Sequence, residues 1–140
     1  MIKFLLTTSL LMFSIISFCA TPPAEVLKAY HLKFPTAINV TWGKENAHEF
    51  EAWFLLNGLK CATIYTDKGE WIQTETPLIF SKLPKEVQIS FSKDHENSNP
   101  KLVSKLVQAK GIIKYEIETK KGINTLEFFY TSNGMETTEK

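Results

Sequence analysis

YTDKGEWIQTE occupies residues 65–75, and YTSNGMETTE occupies residues 130–139. Each opens on Tyr-Thr, passes through a polar turn that closes on glycine, and leaves in a short run suited to a strand. Gly69 and Gly134 lie sixty-five positions apart. A period of that size in a chain of 140 residues points to one structural unit used twice.

Working outward, each stretch is preceded by a second turn. In EFEAWFLLNGLKCATIY, residues 49–65, Asn57-Gly58 separates two runs of strand-forming residues, the pattern of a tight hairpin. In IIKYEIETKKGINTLEFFY, residues 112–130, Lys121-Gly122 takes the corresponding place, sixty-four positions after Gly58. Earlier strands are expected at 37–43 (AINVTWG) and 101–109 (KLVSKLVQA).

Each half begins with a helix. PPAEVLKAYHLKFP (22–35) and LPKEVQISFSKDH (83–95) align Pro23 with Pro84, Glu25 with Glu86, Val26 with Val87 and Tyr30 with Phe91. Proline sits in the first turn, where its missing N–H costs nothing, and apolar residues recur one turn apart. Val26, Tyr30 and Phe34 form one stripe, Val87 and Phe91 a shorter one, and Pro35 stops the first helix. One unit of about sixty residues would bury too little surface to be secure alone, whereas two can share a sheet. The expected fold is therefore α+β: two tandem helix-plus-antiparallel-sheet repeats, residues 20–78 and 79–140, with the helices on one face of an open sheet.

The order P-x-E-V, F-P-x-A, V-x-W, E-F-E-A-x-F-x-L-N-G and D-x-G-x-W-x-x-T-E runs from Pro23 through Glu75. It resembles the PepSY-like, β-lactamase-inhibitor-protein-like (BLIP-like) secreted proteins of Bacteroidetes. A degraded second copy runs from Leu83 through Thr138; it has no counterpart of Trp42 or Trp71 and carries a polar insertion, HENSNP, at 95–100. The motifs are structural. The resemblance implies a secreted or periplasmic module that binds another protein, in its sharpest form an inhibitor of an envelope enzyme such as a peptidase or β-lactamase.

The N-terminus agrees with export. MIKFLLTTSLLMFSIISFCA, residues 1–20, has one charge, Lys3, followed by an uncharged, largely apolar run from Phe4 to Phe18. That run is short for a membrane span, and small residues follow it, so residues 1–19 read as a signal peptide. Ser17 and Cys19 fit cleavage after Cys19, leaving no membrane span in the mature form. Attachment of lipid at Cys19 is the alternative. After cleavage Cys61 is the remaining thiol, so packing must hold the domain.

The sixteen basic residues are all lysine. Arginine is the side chain best suited to bidentate contacts with phosphate and base edges. Its absence, and fifteen acids interleaved with the lysines, argue against nucleic acid as partner. No motif for catalysis or a cofactor is present. His31, His48 and His95 are scattered, and DKGE at 67–70 offers too few oxygens for calcium. Cys61 falls in phase with Tyr65 and reads as a small core residue. The expectation is a non-enzymatic protein with no catalytic residues, metal or cofactor.

Strand alternation sorts the rest into faces. Phe50, Ala52 and Phe54, with Cys61, Thr63 and Tyr65, point towards the helices, as do Tyr115, Ile117, Thr119, Leu126, Phe128 and Tyr130. The opposite face is charged in the second half, with Lys114, Glu116, Glu118 and Lys120, apart from Phe129. In the first half it carries Trp53, Leu55, Ala62 and Ile64, and in the family pattern the first two of these positions are usually polar. An apolar patch on an open face marks an interaction surface unless a chain terminus or curling of the sheet covers it. Trp53, Leu55 and Ile64 are therefore the candidate partner-binding residues, with Glu49, Glu51 and Lys60 as rim. The partner expected is an envelope or extracellular protein. A small-molecule or lipid carrier using the sheet face and a structural envelope assembly protein are the rival readings.

Overall fold

A computed structural model describes residues 20–138; the expected signal peptide and Cys19 lie outside them. Helix α1 (Ala24–Lys33) leads into strands β1 (Ile38–Lys44), β2 (Glu49–Leu56), β3 (Leu59–Thr66) and β4 (Trp71–Pro77). After a single 3-10 turn, helix α2 (Lys85–Asp94) leads into β5 (Pro100–Gln108), β6 (Ile113–Lys121), β7 (Asn124–Thr131) and the two-residue β8 (Glu136–Thr137). All eight strands belong to one antiparallel sheet in chain order. Pairing of β4 with β5, from Gln73↔Gln108 to Pro77↔Ser104, makes the sheet continuous across the middle of the chain.

Both helices start directly after a proline, Pro23 and Pro84, and neither has a side-chain cap. They stop alike: the N–H of Phe34 donates to the Tyr30 carbonyl at 2.8 Å, and that of His95 to the Phe91 carbonyl at 2.9 Å. The expected stripes are the buried ones. Under α1, Val26, Tyr30 and Phe34 pack on Phe50, Ala52, Phe54, Cys61 and Tyr65. The Tyr30 ring stands edge-on to Trp42 and Phe54 at 5.2 and 5.4 Å. Under α2, Val87 and Phe91 pack on Leu83, Val103, Ile117 and Tyr130. Side chains of this size contribute roughly 1.5–3 kcal/mol each when fully buried, so two such clusters anchor the sheet at two places.

The hairpins set the register. Asn57 and Gly58 both have positive φ, 52° and 81°, which a two-residue turn matched to strand twist requires. In the second half the ladder closes at Lys121↔Asn124, so the loop is Gly122-Ile123, one residue later than expected. Glycine now takes the first loop position, with φ of 64°, and Ile123 is left in solvent.

The glycines of the two opening stretches do a different job. Gly69 and Gly134 both have φ of 80°. A β-carbon on Gly69 would lie 2.7 Å from the carbonyl oxygen of Glu25, and one on Gly134 would lie 2.6 Å from that of Glu86. Each turn thus sits directly on the first turn of the helix that opens its half. Gly69→Ala and Gly134→Ala should each cost about 2–4 kcal/mol, combining backbone strain with a collision against main chain. Gly58→Ala, which meets open space, should cost about 1 kcal/mol; urea unfolding of the three variants measures the difference.

The hydroxyls of Tyr30 and Tyr130 are buried without a hydrogen-bond partner among the described residues. Burial, reinforced by the Cys61 thiol, pushes the Tyr30 pKa up to about 12, above the roughly 10 of an unfolded chain. A phenol whose folded pKa is raised favours folding fully below the unfolded value and loses that contribution as pH climbs through the folded one. Stability should therefore fall from about pH 10 upward. Tyr30→Phe should make that fall shallower while matching or exceeding wild-type stability at pH 7, because it deletes an unsatisfied buried group.

Candidate functional site

With both helices on one side, the other face of the sheet is left to its own side chains. Paired residues form rows across it. One row runs Thr41, Trp53, Ala62, Glu75, Leu106, Lys114. A second runs Gly43, Glu51, Ile64, Gln73, Gln108. A third joins Pro77, Ser104 and Glu116 to Phe129, and Leu102, Glu118 and Glu127 stand beside it.

Alternation predicts the orientations of Trp53, Ala62, Ile64, Glu51, Lys114, Glu116 and Glu118 among these, but not their burial. Leu106 is 1% exposed, Ile64 6% and Glu116 7%, although no helix lies over them. Neighbouring side chains shield the middle of this face. Ile64 is therefore part of the floor, which corrects its assignment as a contact residue, and Glu116 is not the solvated charge expected of a half-buried strand. Trp53 and Leu55 differ. Leu55 is half-buried and pairs with exposed Lys60, while Trp53 remains 39% exposed. The Trp53 ring lies across Gly43, so close that a β-carbon there would meet it at 2.9 Å. The indole thus covers bare backbone with one side and offers the other outward. Glu49 and Glu51 are half-buried on the same strand.

Polar contacts tie the centre together. The Ser104 hydroxyl donates to the Glu75 carboxylate at 2.6 Å, and Gln108 Nε2 donates to Gln73 Oε1 at 3.1 Å. Lys114 Nζ donates to the Thr138 carbonyl at 2.7 Å, drawing the C-terminal segment to this part of the sheet. Carboxylate oxygens of Glu116, Glu118 and Glu127 lie within 4.8 Å of one another. Three such oxygens could contribute to a hard-cation site but fall short of the six to eight that calcium takes. Burial pushes the Glu118 pKa up; the nearby Glu75 charge adds to the rise and Lys120 opposes it.

The residues proposed from sequence come together on β2 and β3, Trp53 opposite Ala62, Leu55 opposite Lys60 and Glu51 opposite Ile64. Sequence reasoning passed over Glu75, Ser104, Leu106 and Glu127. The last was within reach, since the hairpin at Gly122 sets Glu118 opposite Glu127. The others depend on the β4–β5 pairing, for which no local signal exists. His48 and Asp67, 3.2 Å apart, form an exposed pair at a turn. Cys61 is 3% exposed on the helix side, and burial raises its thiol pKa, the reverse of what activates a nucleophile.

A carboxylate whose folded pKa is raised above its unfolded value opposes folding once pH passes the unfolded value. Glu118→Gln should therefore stabilise the protein at pH 7 and leave stability near pH 4 little changed, as read from thermal midpoints at the two pH values.

No family model matches the chain, and no curated protein matches it. Solved structures do. A DUF2874 family protein from Bacteroides ovatus superimposes with a TM-score of 0.73 at 23% identity, covering 85% of this chain and 86% of that one. A protein from Bacteroides eggerthii described as a "putative periplasmic" protein gives 0.76 at 19% identity, over 85% and 88%. A BLIP-like protein from Bacteroides fragilis gives 0.69 at 18% identity, over 86% of each chain. These likenesses establish a shared BLIP-like fold.

Proposed function

We propose that this chain is a secreted or periplasmic, non-enzymatic module that binds another protein through the face of the sheet turned away from its helices. Trp53 carries the proposal. It is a large aromatic left 39% exposed on a face whose other apolar residues near the centre are shielded. A rigid aromatic with a polar surround is the usual anchor of a binding patch. Leu55 extends the anchor, and Glu49, Glu51 and Lys60 stand around it.

The export signal read in residues 1–19 and the periplasmic description of one structural neighbour support the location. Inhibition of an envelope peptidase or β-lactamase is the sharper form of the proposal, supported by the fold it shares with a BLIP-like protein; fold alone does not fix function. We further infer that the two halves are tandem copies of a PepSY-like unit. The order helix-then-four-strands occurs twice, and the matched glycines Gly69 and Gly134 meet the matched residues Glu25 and Glu86.

The test is capture from an envelope fraction by the mature protein. Trp53→Ala should weaken retention of the partner at least about tenfold, or 1.4 kcal/mol, with circular dichroism unchanged. Phe54→Glu, which places charge in the core under α1, should unfold the protein. Full retention by folded Trp53→Ala removes the proposed surface.

A further inference from the structure

The β6–β7 hairpin exposes an apolar side chain that its turn does not require. The loop is Gly122-Ile123, and Ile123 is 97% exposed. Gly122 supplies the positive φ of 64°, and a small polar residue would complete such a turn equally well. The Asn57-Gly58 hairpin manages with no aliphatic side chain in its loop. Every residue from Lys120 to Glu127 is exposed, so this end of the hairpin stands clear of the core under α2. Leu126, on the side of the helices, and Leu102, which pairs with Glu118 on the other side, are both partly exposed. A lysine accompanies each. Lys121, opposite Asn124, shares the side of Leu126; Lys120, opposite Thr125, shares that of Leu102; and Lys101 precedes Leu102 where the β5 register shifts. No acid stands between Thr119 and Leu126. Lys120 Nζ is held by the Thr125 hydroxyl and acts on Glu118 behind it, while Lys101 and Lys121 are exposed.

We infer that this hairpin tip enters the headgroup layer of an anionic phospholipid bilayer, with Ile123 at the acyl boundary and Lys101, Lys120 and Lys121 among the headgroups. The inference rests on the export proposed above and not on the Trp53 face. Depth supports it. Interfacial elements bury their apolar part roughly 5–10 Å, and at about 3.3 Å per residue that carries the hairpin in from Ile123 to Leu126. The paired acids Glu118 and Glu127 lie one residue further back and stay in water. Asp94 and Glu96 flank His95, whose ring packs on Phe128 at 3.9 Å, further back again. The chemistry favours a bilayer over an acidic protein. A lone isoleucine on a projecting tip needs a matched cavity in a protein, whereas a fluid interface closes around it. Lysine, a hydrated point charge on a flexible stem, suits a diffuse layer of phosphates, its stem along apolar surface and its head at the headgroups.

Vesicle flotation tests this. The mature protein, of intact mass free of lipid, is mixed with vesicles of phosphatidylcholine alone, or with part of that lipid replaced by phosphatidylglycerol. It should bind the anionic vesicles at least about tenfold more tightly than the neutral ones, and added salt should shrink the difference. Ile123→Asn keeps a favourable Gly-Asn turn, so its urea midpoint should match wild type while its vesicle affinity falls several-fold. Lys120→Gln with Lys121→Gln should abolish the preference for anionic vesicles. Ile112→Asn, at the opposite end of the sheet and also exposed, should leave binding unchanged, and so should Trp53→Ala. Failure to bind anionic vesicles, equal binding to both kinds, or indifference to Ile123→Asn overturns the inference. Equal loss with Ile112→Asn would mark non-specific adsorption, and loss with Trp53→Ala would move the lipid to the other surface; either overturns it. Binding of polyglutamate as tight as that of anionic vesicles, and indifferent to Ile123→Asn, would assign the lysines to an acidic protein and overturn it too.

Discussion

A sheet eight strands wide has two faces to keep from water, and this chain supplies two ten-residue helices to do it. At about 1.5 Å per residue each helix is roughly 15 Å long, while seven strand spacings make the sheet roughly 34 Å across. The helices can cover parts of one face and nothing of the other. Everything else follows from that shortage. Most of the aromatic residues gather in two clusters under the helices, and the other face has to shield itself. It does so with side chains packed over Leu106 and Ile64, with an indole laid over Gly43, and with hydrogen bonds that satisfy Ser104 and Gln73 where they are buried.

A face built that way is under tension between stability and use. Hydrophobic side chains in place of its acids would shield it better. It keeps carboxylates instead, one of them, Glu118, held where burial disfavours its charge. Such groups cost folding energy and persist where a site needs them. Trp53 shows the same tension in apolar form, since its ring covers Gly43 and yet stays 39% exposed.

The legible parts of this structure were those written locally. Proline and a two-turn apolar stripe marked α1; Asn57-Gly58 marked the first hairpin; alternation put Trp53 and Phe54 on opposite sides. Gly122 marked the second hairpin but left its loop ambiguous by one residue, because Lys121 and Ile123 are both tolerable beside a glycine. Burial on the open face was not legible, because alternation reports direction and says nothing of how neighbouring side chains pack. Hence Ile64 was read as a contact and lies in the floor, and Glu116 was read as solvated and is buried. The pairing of β4 with β5 is the largest omission. Its strands are separated by a whole helix, so the row from Trp53 through Glu75 to Leu106 could not be assembled from neighbours in sequence.

That same pairing gives β4 a second history. The chain is made from its N-terminus, and until β5 arrives β4 is an open edge bearing unpaired backbone groups, the kind of edge on which chains aggregate. Its composition suits a strand that has to wait. WIQTETP at 71–77 is polar along most of its length, carries Glu75 on one side and threonines on the other, and ends in Pro77, which has no N–H to offer. A first half standing alone would thus present a poor template to a stray strand. Ser104, donating to Glu75, and the rest of β5 then complete it. Glu75 thus serves as a guard, keeping the unfinished sheet from finding a wrong strand.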